Sequence, residues 1–322
     1  MEFKFLKSIE GSVSEGNVSS QIAYYDNTLV LKYFSPNRLS VFDKDFNEQR
    51  IPGTFNSFAI YENTIAGVKE LGVVDELVFY ELGPNSKWNL SYTVLQPAGL
   101  GVFGLSTAIY KNICIVGSNV KLFIYENWQL KQTITAPANS SIRFGQSLSI
   151  TEDYLCIGDR AFNNNAGVAY IYKYNGKEWI YNNTFTNSSV DAFPNSLNLN
   201  GEYFGTACRG FLQIYNRKLD DWNLVKNFNV GDNSDNRSSV WIYKNILVFS
   251  YIDYNTDEGV GLGTVYIFKL NNNGGWDLIQ EITPVNNNEE AFGENLVLNG
   301  NRLIISAEGF NEYLGKVYIY SL

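Results

Sequence analysis

The stretch Asp253-Tyr254-Asn255-Thr256-Asp257-Glu258-Gly259 puts three oxygen-bearing side chains at alternate positions. That is how a tight loop surrounds a hard cation, so Asp253, Asn255 and Asp257 are the metal candidates, with calcium as the ion. Glu258 stands where such a loop wants glycine, and no further carboxylate closes the site. A hydrated turn held by its own Asx side chains uses the same residues. A wider group comprises Arg143, Asp159, Arg160, Arg209, Tyr251, Asp253 and Glu308. Mixed charge with tyrosine near a concave mouth grips small polar ligands or peptide ends, although an ordinary hydrated rim has the same make-up. Asp159 and Glu308, facing one another, would be the acid and base of a glycoside hydrolase. Against catalysis stands the absence of any histidine. This removes the commonest general base, the usual triad partner and the commonest zinc ligand together. The expectation is a protein that is not an enzyme and carries no cofactor, calcium being the one candidate ion.

Composition narrows the partners. The 322 residues include 22 Tyr, 21 Phe and 6 Trp but one Met, with 27 Gly. That suits sheets stacked through large flat side chains with glycine at the turns. A net charge of −9 opposes binding to nucleic acid or adsorption to anionic lipid, both of which need a basic face. No apolar run approaches the roughly 20 residues of a membrane span, so membrane insertion is not expected. The start, MEFKFLKSIE, alternates apolar and charged residues without a hydrophobic signal core. Cytoplasmic placement is favoured over extracellular on that reading, with a monomer expected. Cys114, Cys156 and Cys208 form no CxxC pair and read as small core residues.

The elements that must position these residues repeat. An apolar residue followed by Phe or Tyr occurs at Val41-Phe42, Phe79-Tyr80, Ile124-Tyr125, Ile171-Tyr172, Ile214-Tyr215, Ile267-Phe268 and Ile319-Tyr320. A strand-like run precedes each in step, starting near Asn27, Asn63, Asn112, Asp153, Glu202, Asn245 and Asn301. Trp88, Trp128, Trp179, Trp222 and Trp276 open a further run after five of the pairs. Short β-branched and aromatic runs separated by Asn/Gly turns read as four-stranded antiparallel meanders, and about 46 residues per unit is blade-sized. The last unit ends at Tyr320-Ser321-Leu322 without a Trp strand, whereas Phe3-Lys4-Phe5-Leu6-Lys7-Ser8-Ile9 has the Trp-x-Leu-x-x-x-Ile spacing. Residues 3 to 9 are therefore expected to complete the last sheet, because closure removes free edges. The fold class predicted is all-β, a seven-bladed β-propeller of four-stranded antiparallel blades, with 1–322 as one domain.

Phe103-Gly104, Phe144-Gly145 and Phe292-Gly293 open three units, and Phe193-Pro194 stands at the same place in a fourth. A strand ending Ile157-Gly158-Asp159-Arg160 or Ile305-Ser306-Ala307-Glu308 follows, then Gly-x-x-Tyr-Ile-Tyr. This resembles the FG-GAP repeat of integrin α-like propellers, over essentially the whole chain and most closely in blades four and seven. The resemblance implies a scaffold for adhesion or protein recognition, with sugar binding in some members. It also implies calcium in a nine-residue loop between the first and second strands. Here the corresponding turns, such as Thr151-Glu152-Asp153, are too short to wrap a cation. A protein partner bound at one rim is the expectation, a glycan-binding, lectin-like propeller the alternative, and a carboxylate hydrolase the second alternative.

Overall fold

The computed structural model describes residues 2–140, 142–187, 193–231, 237–253, 261–284 and 291–322. Among them the chain forms seven four-stranded antiparallel sheets, six of them meanders in sequence order and the seventh completed by the N-terminal strand. Blade one is Asn17–Tyr25, Thr28–Phe34, Arg38–Phe42 and Glu48–Pro52; blade two is Thr54–Tyr61, Thr64–Glu70, Glu76–Leu82 and Trp88–Leu95. Blade three is Phe103–Tyr110, Ile113–Ser118, Lys121–Glu126 and Gln129–Thr135; blade four is Ser147–Ile150, Tyr154–Asp159, Val168–Tyr174 and Trp179–Phe185. Blade five is Ser196–Asn200, Tyr203–Cys208, Phe211–Lys218 and Asp221–Asn229; blade six is Arg237–Tyr243, Ile246–Asp253, Leu262–Leu270 and Trp276–Ile282. Blade seven is Phe292–Asn299, Arg302–Ala307, Lys316–Ser321 and, from the other end of the chain, Lys4–Glu10.

The chain divides into two compact units. Unit one comprises Met1–Tyr24, Lys32–Pro36 and Pro194–Leu322; unit two comprises Tyr25–Leu31 and Asn37–Phe193. In unit one, Val248 and Ile267 of blade six pack with Phe292, Ile305 and Tyr318 of blade seven, and Phe3 joins them. In unit two, Ile115 and Ile124 of blade three pack with Leu155, Ile157, Tyr170 and Trp179 of blade four. All three cysteines are free and buried, in keeping with a core role.

The N-terminal strand pairs with the last strand as its spacing predicts: Lys4 faces Ser321, Phe5 faces Tyr320 and Lys7 faces Ile319. Leu6 is left over between them as a bulge. The same bulge recurs where the third and fourth strands of blades two to six pair, leaving Ser91, Lys131, Asn182, Val225 and Ile279 without ladder partners. Residues 4–10 thus reproduce the fourth strand of an ordinary blade down to its irregularity.

The packing also gives a reason for the glycine that opens the third strand. A Cβ on Gly167 would lie 1.9 Å from the Phe193 carbonyl oxygen, and one on Gly263 would lie 1.6 Å from that of Phe292. On Gly315 it would lie 2.0 Å from the carbonyl oxygen of Val18. In each case the backbone of the next blade's opening residue rests on the glycine, and no side chain fits between. The tryptophans serve packing, as expected: Trp88, Trp179 and Trp276 are buried, and Trp128 stacks on Phe79 at 4.1 Å. The apolar residue two places later is different. Leu90, Leu130, Leu224 and Leu278 are all exposed, Leu90 at 57%, and each directly precedes the bulge residue of its strand.

Candidate functional site

In unit one a charged cluster forms where blade six begins and where the second strand of blade seven ends. The ladder of blade seven pairs Phe292 with Ala307 and does not resume until Leu296 and Ile305. Gly293, at φ 93°, makes the turn, and the Asn295 amide donates to Ser306 Oγ at 3.0 Å. Glu294 is thereby freed from the ladder and its carboxyl meets that of Glu308, which directly follows the second strand. Arg237, the first residue of blade six, donates from Nη1 to Glu294 Oε1 as a close ion pair. The Glu294 side chain is 11% exposed and the Arg237 side chain 55%. Burial first, then the like charge of the neighbouring Glu308, pushes Glu294 up to about 7 against the opposing pull of Arg237.

Chemically, a carboxyl whose pKa is raised to about 7 lies beside a second carboxyl beneath a half-exposed guanidinium. Glu308 acts directly on the Glu294 carboxyl, whereas acid and base of a glycoside hydrolase stand roughly 5–9.5 Å apart to admit a sugar carbon or a water. The pair is built to hold a cation, and Arg237 is the cation that it holds.

The cluster continues into blade five. Ser238, next to Arg237, lies opposite Tyr251 in the ladder, and its Oγ accepts from the Gly210 amide at 2.8 Å. Gly210 follows Arg209, whose φ is 47°. The Tyr251 ring lies over two glycines: a Cβ on Gly210 would be 3.0 Å from Tyr251 Cε2, and one on Gly231 would be 2.7 Å from its hydroxyl oxygen. Four of the predicted rim residues therefore fall in this unit. Arg209, Tyr251 and Glu308 lie along one run through Gly210, Ser238, Arg237 and Glu294. Asp253 ends the second strand of blade six opposite Leu262, half-buried.

The other three belong to unit two. Arg143 is exposed, with Nη1 donating to Gln146 Oε1 at 3.4 Å, and Arg160 is half-buried. Asp159 is completely buried, and its Oδ1 accepts from the Ala161 amide at 3.3 Å. The equivalent position in blade seven, at the end of the second strand, is Ala307. Of the calcium candidates, Asn255 and Asp257 lie outside the described residues. Among the described residues no three His, Cys, Asp or Glu side chains are grouped to hold a metal, and no helix is long and apolar enough to cross a membrane.

Sequence reasoning missed Glu294 and Arg237. A signal existed for the first: Glu294 follows Phe292-Gly293 as Gln146 follows Phe144-Gly145, and Glu308 then matches Arg160. Blade seven thus has acid at both places where blade four has an amide and a cation. Arg237 has no such counterpart.

No family model and no curated protein sequence matches the chain. Solved structures do. The structure of BBS1N in complex with ARL6DN matches at 11% identity, covering 99% of this chain and 96% of that one, with a TM-score of 0.66. Virginiamycin B lyase from Staphylococcus aureus matches at 12% identity over 100% of both chains, with a TM-score of 0.63. The Dos1 propeller matches at 14% identity over 99% of this chain and 81% of that one, with a TM-score of 0.59. The fold is a seven-bladed β-propeller. At these identities the likeness extends to the fold alone, which in this set serves both a lyase and a chain solved in complex with another.

Proposed function

We propose that this chain is a non-enzymatic, FG-GAP-type propeller acting as a single protein-recognition scaffold, and that the surface from Arg209 to Glu308 is where a protein partner is held. The observation that carries this reading is Arg237 seated on Glu294. A guanidinium anchored on a buried carboxylate is fixed in place while its side chain stays 55% exposed, within reach of a partner. Arginine and tyrosine dominate the energetically important centres of protein interfaces, and Arg209 and Tyr251 flank this one. The raised pKa of Glu294, set by burial and by the neighbouring Glu308 against the pull of Arg237, fits a site built to hold a cation. One of the chains with the same fold, BBS1N, was solved in complex with another protein, which favours a scaffold role.

The test is quantitative capture. A partner isolated on the full chain should bind the Arg209→Ala/Arg237→Ala double variant at least about tenfold more weakly. Circular dichroism and Tm must show that the variant is folded. Undiminished affinity, or capture abolished by free sugars, sinks the reading, the latter in favour of a lectin.

A further inference from the structure

Unit two holds a second site, between blades three and four. A cavity of about 150 Å³ opens there, floored by Ile113, Ile124, Tyr174 and Trp179 and walled by Glu126, Lys131, Lys177 and Glu178. Its floor is fixed. Gln132 Nε2 donates to the Trp179 carbonyl and its Oε1 accepts the Trp179 amide, each at 2.8 Å. The Tyr174 ring lies 5.2 Å from that of Trp179.

The walls are placed by two local devices. Lys131 is the bulge residue of the fourth strand of blade three, left out of the ladder between Leu130 and Gln132. Lys177 and Glu178 sit on a turn whose Asn175 Oδ1 accepts from both of their amides, at 2.9 and 2.8 Å. Two cations and two anions therefore face one small space. Among the described residues, none of the four side chains has an ion-pair or hydrogen-bond partner. Opposite charges that share a cavity yet stay apart are suited to a ligand that carries both signs and bridges them.

We infer that this cavity binds a small zwitterion, an α-amino acid with an apolar side chain. The carboxylate is taken by Lys131 and Lys177, the ammonium by Glu126 and Glu178, and the side chain by the isoleucine floor. The size agrees: 150 Å³ is the space of about five water molecules, room for a small ligand and not for a drug-sized one. A sugar fits less well. Trp179 is 4% exposed, so its face is committed to the core and cannot stack on a pyranose.

The experiment is titration calorimetry of the full chain with L-leucine as probe. Saturable one-to-one binding is expected, and N-acetyl-leucine and leucinamide, each lacking one charge, should each bind about tenfold more weakly or worse. Lys131→Ala and Glu126→Gln should each weaken leucine by a similar factor with Tm unchanged, since neither side chain has a structural partner. No heat up to about 10 mM leucine, or leucinamide binding as tightly as leucine, overturns the proposal. Glucose displacing leucine would overturn it too. The assay leaves Arg209 and Arg237 untouched, so its failure is separate from failure of the protein-recognition surface.

Discussion

Gln280 holds Phe3 by both of the backbone groups that Phe3 offers. The Phe3 amide donates to Gln280 Oε1 at 2.7 Å, and Gln280 Nε2 donates to the Phe3 carbonyl at 2.8 Å. Gln49 grips Trp88 in the same way, at 2.8 and 2.7 Å, and Gln132 grips Trp179. Lys226 reaches the Trp276 carbonyl at 3.1 Å. A side-chain amide mimics one more strand, satisfying a donor and an acceptor at once where the sheet itself has ended. The N-terminal residue 3 thus receives the clasp that a tryptophan receives elsewhere.

Replacing Gln280 by leucine should therefore loosen the N-terminal strand specifically. Two part-buried backbone groups lose their partners, a cost of about 1–3 kcal/mol. Amide exchange of residues 4–10 should accelerate in this variant, while Gln132→Leu, at the equivalent clasp, should lower Tm without affecting those amides. Equal exchange of residues 4–10 in both variants would contradict the assignment.

Gly263→Ala tests the glycine that opens the third strand. The added Cβ would meet the Phe292 carbonyl at 1.6 Å, a backbone clash that no rotamer relieves, and a loss of more than about 3 kcal/mol is expected. At Gly176, φ 91° but with open space around the Cβ, alanine should cost only about 1 kcal/mol. Thermal or denaturant unfolding of the two variants measures the difference.

The pH dependence of stability should carry the mark of Glu294. Its pKa rises from an ordinary 4.5 to about 7 on folding, so the folded chain binds more protons than the unfolded one between those values. Its contribution is fully present below about pH 4.5 and is lost as pH rises through 7. Glu294→Gln, which keeps an acceptor for Arg237 and a donor for Glu308, should be more stable than the parent at pH 8 by about 1–3 kcal/mol. The advantage should fade towards pH 4.5. An advantage that did not change with pH would show that Glu294 is ionised throughout.

The exposed leucines of the fourth strands should be expendable for folding. Leu278→Ser should change stability by no more than about 0.5 kcal/mol, and Ile282→Ala, in the same strand but buried, should cost about 2–4 kcal/mol. Urea midpoints decide this.

Much of the architecture was legible along the chain because a blade is a local object. Its four strands are consecutive, its turns are short, and the aromatic pair of the third strand marks each copy. Even the strand supplied from the far end could be read, since Phe3 to Ile9 keep the spacing of the tryptophan strands. Sheet pairing depends on period and turn chemistry, which lie in adjacent residues. The site did not share that property. Arg237 and Glu294 are 57 residues apart, and neither carries a local pattern that separates it from a solvated surface charge. Only packing buried one carboxylate, set a second against it and left the guanidinium half in water. The exposure of Leu278 was equally invisible, because which face of an outer strand is covered depends on what packs against it and not on its own spacing. Composition and periodicity determined the sheets; the third dimension decided which charges meet, since electrostatic coupling acts through space and through burial, and sequence order records neither.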